Sequence, residues 1–272
     1  MAPVSCLSES HNLSGSEIVD CYAKKVDAGL IITEPTLISP LEGFDRCPGI
    51  YTREQIEQWR KVTQAVRDRN GKIFLQLWYC EDKELFCQLG ESLHINGLSI
   101  DKDLSTVVKL FRSAAQNALA ADFDGVEIHA AFSYMKESHF KPSLNFSHNL
   151  EQQIELLTWI IEEVASVWDE DRVGIRITPE VTLYGLEESE LLNYFYNLFD
   201  AFNFYDVAYV HLVQPANAQR IEHYTFLAIT SILRSIYCGV IIASCQNDLQ
   251  EGVKAIADGN VELVSFSNLV AC

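Results

Sequence analysis

The sequence predicts an α/β protein, a (β/α)8 barrel built as one domain over residues 1–272. Three observations point there. Short β-branched runs alternate with longer helical stretches at a period of roughly 35 residues, close to the repeat of such barrels. Most of the strand candidates are continuously apolar, as parallel strands buried on both faces are. No G-x-G-x-x-G follows the first strand, which disfavours the competing open, doubly wound sheet.

The strand candidates, in order, are MAPVSC (1–6), GLIITEP (29–35), KIFLQLWY (72–79), GVEIHAA (125–131), RVGIRITP (172–179), VAYVHLVQP (207–215), GVIIASC (239–245) and VELVSFS (261–267). Helical patterns separate them. Residues 16–29 open after a Ser cap; 52–71 have a Thr cap and an Asn-Gly stop; 105–122 again follow a Ser. Residues 149–168 are strongly amphipathic, and 187–203, 224–237 and 248–259 complete the set. The chain stops just after the eighth strand, so the barrel reads as truncated, without an eighth helix; the resemblance described below implies that an N-terminal hairpin is absent as well. The longest irregular piece, 80–101, follows the third strand.

Composition narrows the partners. The chain is 48% hydrophobic and carries a formal charge of −18. So acidic a surface disfavours nucleic acid and anionic membranes. No apolar run approaches the length of a membrane span and no signal peptide opens the chain, so a cytoplasmic protein is expected. The eight cysteines include no C-x-x-C pair and no Cys/His cluster with metal-ligand spacing, so reduced thiols and no metal are expected. Barrel surface left bare by the missing hairpin and helix would suit a homodimer.

In such barrels the active site forms at the C-terminal ends of the strands. Gln76, His129, Arg176 and His211 lie inside apolar strands near those ends. A buried Arg or Gln needs partners, and a mouth holding a polar ligand supplies them. Trp78, Tyr79, Phe132 and Tyr134 would give that mouth aromatic walls. A lone strand histidine is also a common core residue. Glu180, after Pro179, equally suits capping of the next helix.

The motifs AGLIITEPTLISP, PGIYTREQIEQWRKVTQAV, GKIFLQLW, FDGVEIHAA, DRVGIRITP and VAYVHLVQP resemble, in order, the old yellow enzyme family of FMN-dependent ene reductases, which includes the 12-oxophytodienoate reductases. The resemblance runs over nearly the whole chain. It implies that Gln76 and Arg176 hydrogen-bond the pyrimidine end of the flavin, that Ser5 stands near flavin N5, and that the Pro35 backbone meets the ring. It implies His129 as a substrate-carbonyl anchor and Tyr134 as the proton donor to the substrate α-carbon. Phe132 replaces the family's second anchor, and Tyr79 replaces a His. At the phosphate end, Ser244-Cys245 and Ser267-Asn268 stand where the family has Gly-Gly and Gly-Arg, and KPSLNFSHNL carries no Arg. Loss of that Arg alone would weaken phosphate binding roughly 10–100-fold.

These departures set the functional expectation. It is a biosynthetic enzyme of specialised metabolism that has lost FMN and uses no cofactor. Its reaction would be a non-redox isomerisation, cyclisation or pericyclic reaction of an unsaturated carbonyl or polyene. Tyr134, His129, Arg176 and Tyr79 would be catalytic; Gln76, Trp78, Phe132, Glu180 and His211 would line the pocket. The alternative is an ene reductase using FMN and NADPH, with Ser5, Pro35, Gln76, Arg176, Ser244 and Asn268 binding the cofactor. A non-catalytic binding protein is the second alternative.

Overall fold

The computed structural model describes residues 1–3, 15–41, 47–80, 104–130, 146–177, 188–213, 226–244 and 249–266. Strands β1 (Ile31–Ile32), β2 (Thr36–Leu37), β3 (Ile73–Trp78), β4 (Gly125–His129), β5 (Val173–Ile177), β6 (Tyr209–Leu212), β7 (Ile241–Ser244) and β8 (Leu263–Ser265) form one eight-stranded sheet. Every pairing is parallel, in the order β1-β3-β4-β5-β6-β7-β8, with β2 also on β3. Helices α1 (Gly15–Ala23), α2 (Arg53–Arg67), α3 (Leu104–Ala120), α4 (Phe146–Ala165), α5 (Glu188–Phe202), α6 (Phe226–Ile236) and α7 (Leu249–Ala257) alternate with the strands.

The N-terminal segment closes the cylinder. The Ala2 amide donates to Phe266 O at 3.0 Å, and Met1 O accepts from the Ile32 amide at 3.3 Å. Residues 1–2 therefore bridge β8 and β1, where the first strand was expected. The molecule is the (β/α)8 barrel that the sequence predicts.

The second expected strand is broken. Between β1 and β2 the chain advances from Ile32 to Thr36 while β3 advances only from Phe74 to Leu77. That is one extra residue, the signature of a bulge. Pro35 has no N–H to give the ladder. Thr33 repairs the gap, because its hydroxyl accepts the Gln76 amide at 3.0 Å in place of a backbone carbonyl. The same hydroxyl donates to Glu34 O at 3.0 Å.

Helix ends follow local chemistry. Thr52 caps α2 in a full capping box with Gln55, satisfying amides that the first turn leaves open. After α2, α3 and α7 the chain turns through left-handed Asn70, Asp122 and Gly259, with φ of 61°, 60° and 71°. Each turn carries a six-to-one bond (Gly71 N to Val66 O, Phe123 N to Ala118 O, Asn260 N to Ala255 O), so the Schellman geometry aims the chain at the next strand. The expected Ser105 cap lies one residue inside α3, and α1 stops well short of residue 29.

Inside the barrel, large and small residues alternate. A Cβ on Gly125 would sit 2.4 Å from Phe74 Cζ, and one on Gly174 would sit 2.3 Å from Tyr209 Cζ. Each glycine thus gives a ring from the neighbouring strand room to lie across the axis. The Phe74 and Tyr209 rings stack with centroids 6.0 Å apart. This aromatic layer, with Ile32 and Ile242, plugs the N-terminal half of the barrel. Outward-facing Leu75, Leu77, Val126, Ile128, Ile175, Val210 and Ile241 pack under the helices as the main apolar core.

Candidate active site

Above the aromatic plug lies a polar layer. Inward positions of five strands contribute Gln76 (β3), Glu127 (β4), Arg176 (β5), His211 (β6) and Ser265 (β8). Alternation within each strand puts them there, because register pairs Gln76 with Glu127 and Arg176 with His211 across neighbouring strands. They form one chain of hydrogen bonds. Arg176 Nη1 donates to Gln76 Oε1 at 3.0 Å, and Gln76 Nε2 donates to Glu127 Oε1 at 2.5 Å. Glu127 Oε2 lies 2.9 Å from His211 Nδ1, and His211 Nε2 lies 2.8 Å from Ser265 Oγ.

Electrostatics follow from this layout. Burial of Glu127 penalises its charge, but His211 (by charge and hydrogen bond), Arg176 and the Gln76 amide outweigh that, so its pKa is lowered. The carboxylate is therefore ionised and can only accept, which places the His211 proton on Nδ1. Burial, and then the Glu127 charge, raises the pKa of Tyr209 below it. His129, one layer higher on β4, is buried; that burial, and then the Arg176 charge and the neighbouring His211, holds its pKa well below the usual histidine value. His129 is thus a neutral imidazole at physiological pH.

The remaining expected site residues divide. Gln76, Trp78, His129, Arg176 and Ser244 are on inward-facing strand positions toward the C-terminal mouth. Arg176 and Pro35 are half-buried, and Pro35 is held between Glu34 and Thr36. Glu34 is itself fixed, its amide donating to Tyr22 Oη at 3.2 Å and its carbonyl accepting from Thr36 Oγ1 at 2.9 Å. Trp78 packs with Leu37 and Cys80 beside Leu41, Cys47 and Tyr51. Two placements differ from expectation. Tyr79 continues the outward series of Leu75 and Leu77 into the helix-facing core, so it does not line the mouth. His211 is fully buried with both ring nitrogens engaged, so it belongs to the floor rather than to a pocket wall. Ser5, Phe132, Tyr134, Glu180 and Asn268 lie outside the described residues.

Glu127 and Ser265 were missed in the sequence. The signal was present for Glu127, which sits two residues before His129 and so shares its face. Among the described residues no group of three or more His, Cys, Asp and Glu is placed to hold a metal, and no helix is long and apolar enough to cross a membrane.

The donor set suits the pyrimidine edge of a flavin. A guanidinium presents a planar fork of N–H donors, one already given to Gln76, and an amide stands beside it. A closed parallel barrel with such a polar floor beneath its C-terminal mouth has the architecture of a barrel enzyme.

Comparison with known proteins makes this specific. The model of the NADH:flavin oxidoreductase / NADH oxidase family matches residues 1–268, and the chain belongs to that family. It is 27% identical over 296 residues to the putative 12-oxophytodienoate reductase-like protein 1 of Arabidopsis thaliana, covering 99% of this chain and 91% of the relative. It is 28% identical to 12-oxophytodienoate reductase 1 of Oryza sativa subsp. japonica, covering 99% of this chain and 78% of the relative. Among solved structures, morphinone reductase superposes with a TM-score of 0.79 at 25% identity, over 98% of this chain and 80% of that one. The old yellow enzyme of Trypanosoma cruzi gives 0.77 at 25% identity, over 98% and 83%.

These findings overturn two expectations: that the barrel works without a cofactor, and that its reaction is a non-redox isomerisation, cyclisation or pericyclic step. The family that claims almost the whole chain is one of flavin oxidoreductases. The physical error lay in weighting the phosphate end. Two serines, a cysteine and an asparagine stand where the resemblance expects three glycines and an arginine, and these bear on the expected phosphate end alone. Gln76 and Arg176, which the resemblance assigns to the ring edge, are present and linked by hydrogen bonds.

Proposed function

We propose that the protein is an ene reductase that uses FMN and NADPH to reduce the C=C bond of an α,β-unsaturated carbonyl. The observation that carries this reading is the Arg176–Gln76–Glu127 chain, a hydrogen-bonded array under the barrel mouth in a flavin oxidoreductase family member. Relatives named 12-oxophytodienoate reductase support an unsaturated oxo compound as the substrate class.

FMN, if bound, would supply the hydride chemistry that links the nicotinamide to the substrate β-carbon. The chain's residues do the rest. Arg176 and Gln76 would hold the pyrimidine edge of the ring, Pro35 would abut it, and the resemblance assigns Ser5 to the N5 end and Ser244 and Asn268 to the phosphate end. His129, neutral because it is buried next to Arg176, donates one N–H to the substrate carbonyl. That bond strengthens as negative charge develops on the oxygen, so it favours the transition state over the ground state. Tyr134 is the proton donor to the α-carbon; an ordinary phenol, near pKa 10, is protonated at neutral pH. Trp78 would supply apolar wall, and the resemblance puts Phe132 where the family has its second carbonyl anchor.

The test is a two-step anaerobic experiment. Protein loaded with FMN should bleach on addition of NADPH and regain its absorbance when a simple cyclic enone is added, with one enone reduced per NADPH. Bleaching that no α,β-unsaturated ketone or aldehyde reverses would overturn the ene-reductase reading.

A further inference from the structure

We propose that Glu127 is a positioning residue that sets the reduction potential of the bound flavin, acting through Gln76 and Arg176. The inference rests on the flavin reading above. Glu127 is fully buried and its two oxygens serve different partners, Gln76 Nε2 at 2.5 Å and His211 Nδ1 at 2.9 Å. A carboxylate can only accept. It therefore compels the Gln76 amide to turn its NH2 inward and its carbonyl toward Arg176, which donates to it at 3.0 Å. Arg176, a donor only, and Glu127, an acceptor only, hold the two ends of that amide from opposite sides. Glu127 thus anchors the Gln76 amide, and through it the guanidinium, at the proposed ring edge.

The second consequence is electrostatic. Glu127 stands two hydrogen bonds from the guanidinium in an interior sealed below by Phe74 and Tyr209, where charges are poorly screened. Hydride transfer from a reduced nicotinamide brings two electrons and one proton to flavin N5 and leaves the nicotinamide oxidised. The ring thereby gains negative charge, concentrated at its N1–C2 edge. Arg176 favours that charge and Glu127 opposes it. Charge near this edge is one of the protein's levers on flavin electronics. The carboxylate therefore holds the potential low, which favours onward hydride delivery to the substrate.

Glu127→Gln isolates the charge. The new carbonyl can accept from Gln76 Nε2, and the new NH2 can donate to His211 Nδ1. His211 then carries its proton on Nε2 and donates to Ser265 Oγ, so no buried group is orphaned. The experiment compares wild-type and Glu127→Gln protein, each loaded with FMN, by anaerobic equilibration with a reference dye and by fluorescence titration of oxidised FMN. The variant should favour reduced over oxidised FMN on the order of tenfold more than wild type, a positive shift of about 30 mV for a two-electron couple. A merely structural role would weaken both forms alike and leave the potential where it was. An unchanged or more negative potential in the FMN-loaded variant overturns the proposal. Should Glu127→Gln not fold, Glu127→Gln/His211→Asn is measured instead, with the same positive shift expected and the same null result decisive. Wild-type protein that takes up no FMN removes both the flavin reading and this inference. Wild-type protein that binds FMN, with a potential the variant does not move, removes the inference alone.

Discussion

Gly174→Ala tests the packing that supports the site floor. The added Cβ would lie 2.3 Å, 2.4 Å and 2.6 Å from Cζ, Cε2 and Oη of Tyr209. Ordinary carbon contacts are about 3.5–4.0 Å, so the ring must retreat by more than about 1 Å. It has little room, since Phe74 stacks on it at 6.0 Å and His211 meets it edge-on at 6.4 Å. Overpacking of this kind costs about 1–3 kcal/mol. Replacing a strand glycine returns roughly 0.5–1 kcal/mol of backbone entropy. The net loss should be about 1 kcal/mol, within a range of about 0–2.5, a fall in Tm of roughly 2–4 °C for about 1 kcal/mol in a domain of this size. The assay is a double-mutant cycle in thermal or urea unfolding, with Tyr209→Ala as the second change. In the Tyr209→Ala background, Gly174→Ala should cost nothing or stabilise. An equal penalty in both backgrounds would show that the Tyr209 ring does not rest on Gly174, and the layered interior would need redrawing.

Three further outcomes are expected. Thr52→Ala removes the hydroxyl that caps α2 and should cost about 1 kcal/mol, read as a lower unfolding midpoint with an unchanged m-value. Gln76→Leu leaves Glu127 Oε1 without its donor and Arg176 Nη1 without its acceptor; it should destabilise by about 2–5 kcal/mol and weaken FMN binding together. Stability should fall with acidification below neutral pH. The folded-state pKa of His129 is depressed from 6.5, so between the two values the unfolded chain binds more protons and unfolding is favoured as pH drops. Its contribution is complete above about 6.5 and declines below at up to about 1.4 kcal/mol per pH unit. That of Glu127, whose pKa is lowered from 4.5, is lost at still lower pH. His129→Gln should flatten the Tm–pH slope between pH 7 and 5, and an unchanged slope would place the titrating group elsewhere.

The barrel was legible because its parallel strands are apolar on both faces and its helices carry caps and stops that local chemistry dictates. The Thr52 cap and the Asn70 stop are cases in point. The break after Ile32 was not legible, since it depends on a threonine hydroxyl standing in for a carbonyl across to β3. Gln76, His129 and Arg176 could be picked out as polar residues in apolar strands. Glu127 escaped although the same rule names it. Reading by strand ends favours His129, whereas the floor is organised one layer lower. Tyr79 misled because aromatic character was read without parity; one residue after inward Trp78, its side chain goes to the helix-facing core. Ser265 carries no sequence signal, as its role exists only once β6 and β8 bring it within 2.8 Å of His211. The cofactor was misjudged because four altered phosphate-end positions were weighed above two intact ring-edge positions.

The central claim is that Arg176 and Gln76 form a flavin-holding edge, and FMN binding tests it most directly. Titration of the purified protein with FMN, followed by absorbance after gel filtration, should give about one FMN per chain with a shifted flavin band. Arg176→Leu should weaken binding by roughly 10–100-fold, the equivalent of a lost charge-assisted hydrogen bond. Protein that retains no FMN after the titration, or an Arg176→Leu variant that binds FMN as tightly as wild type, would contradict the account.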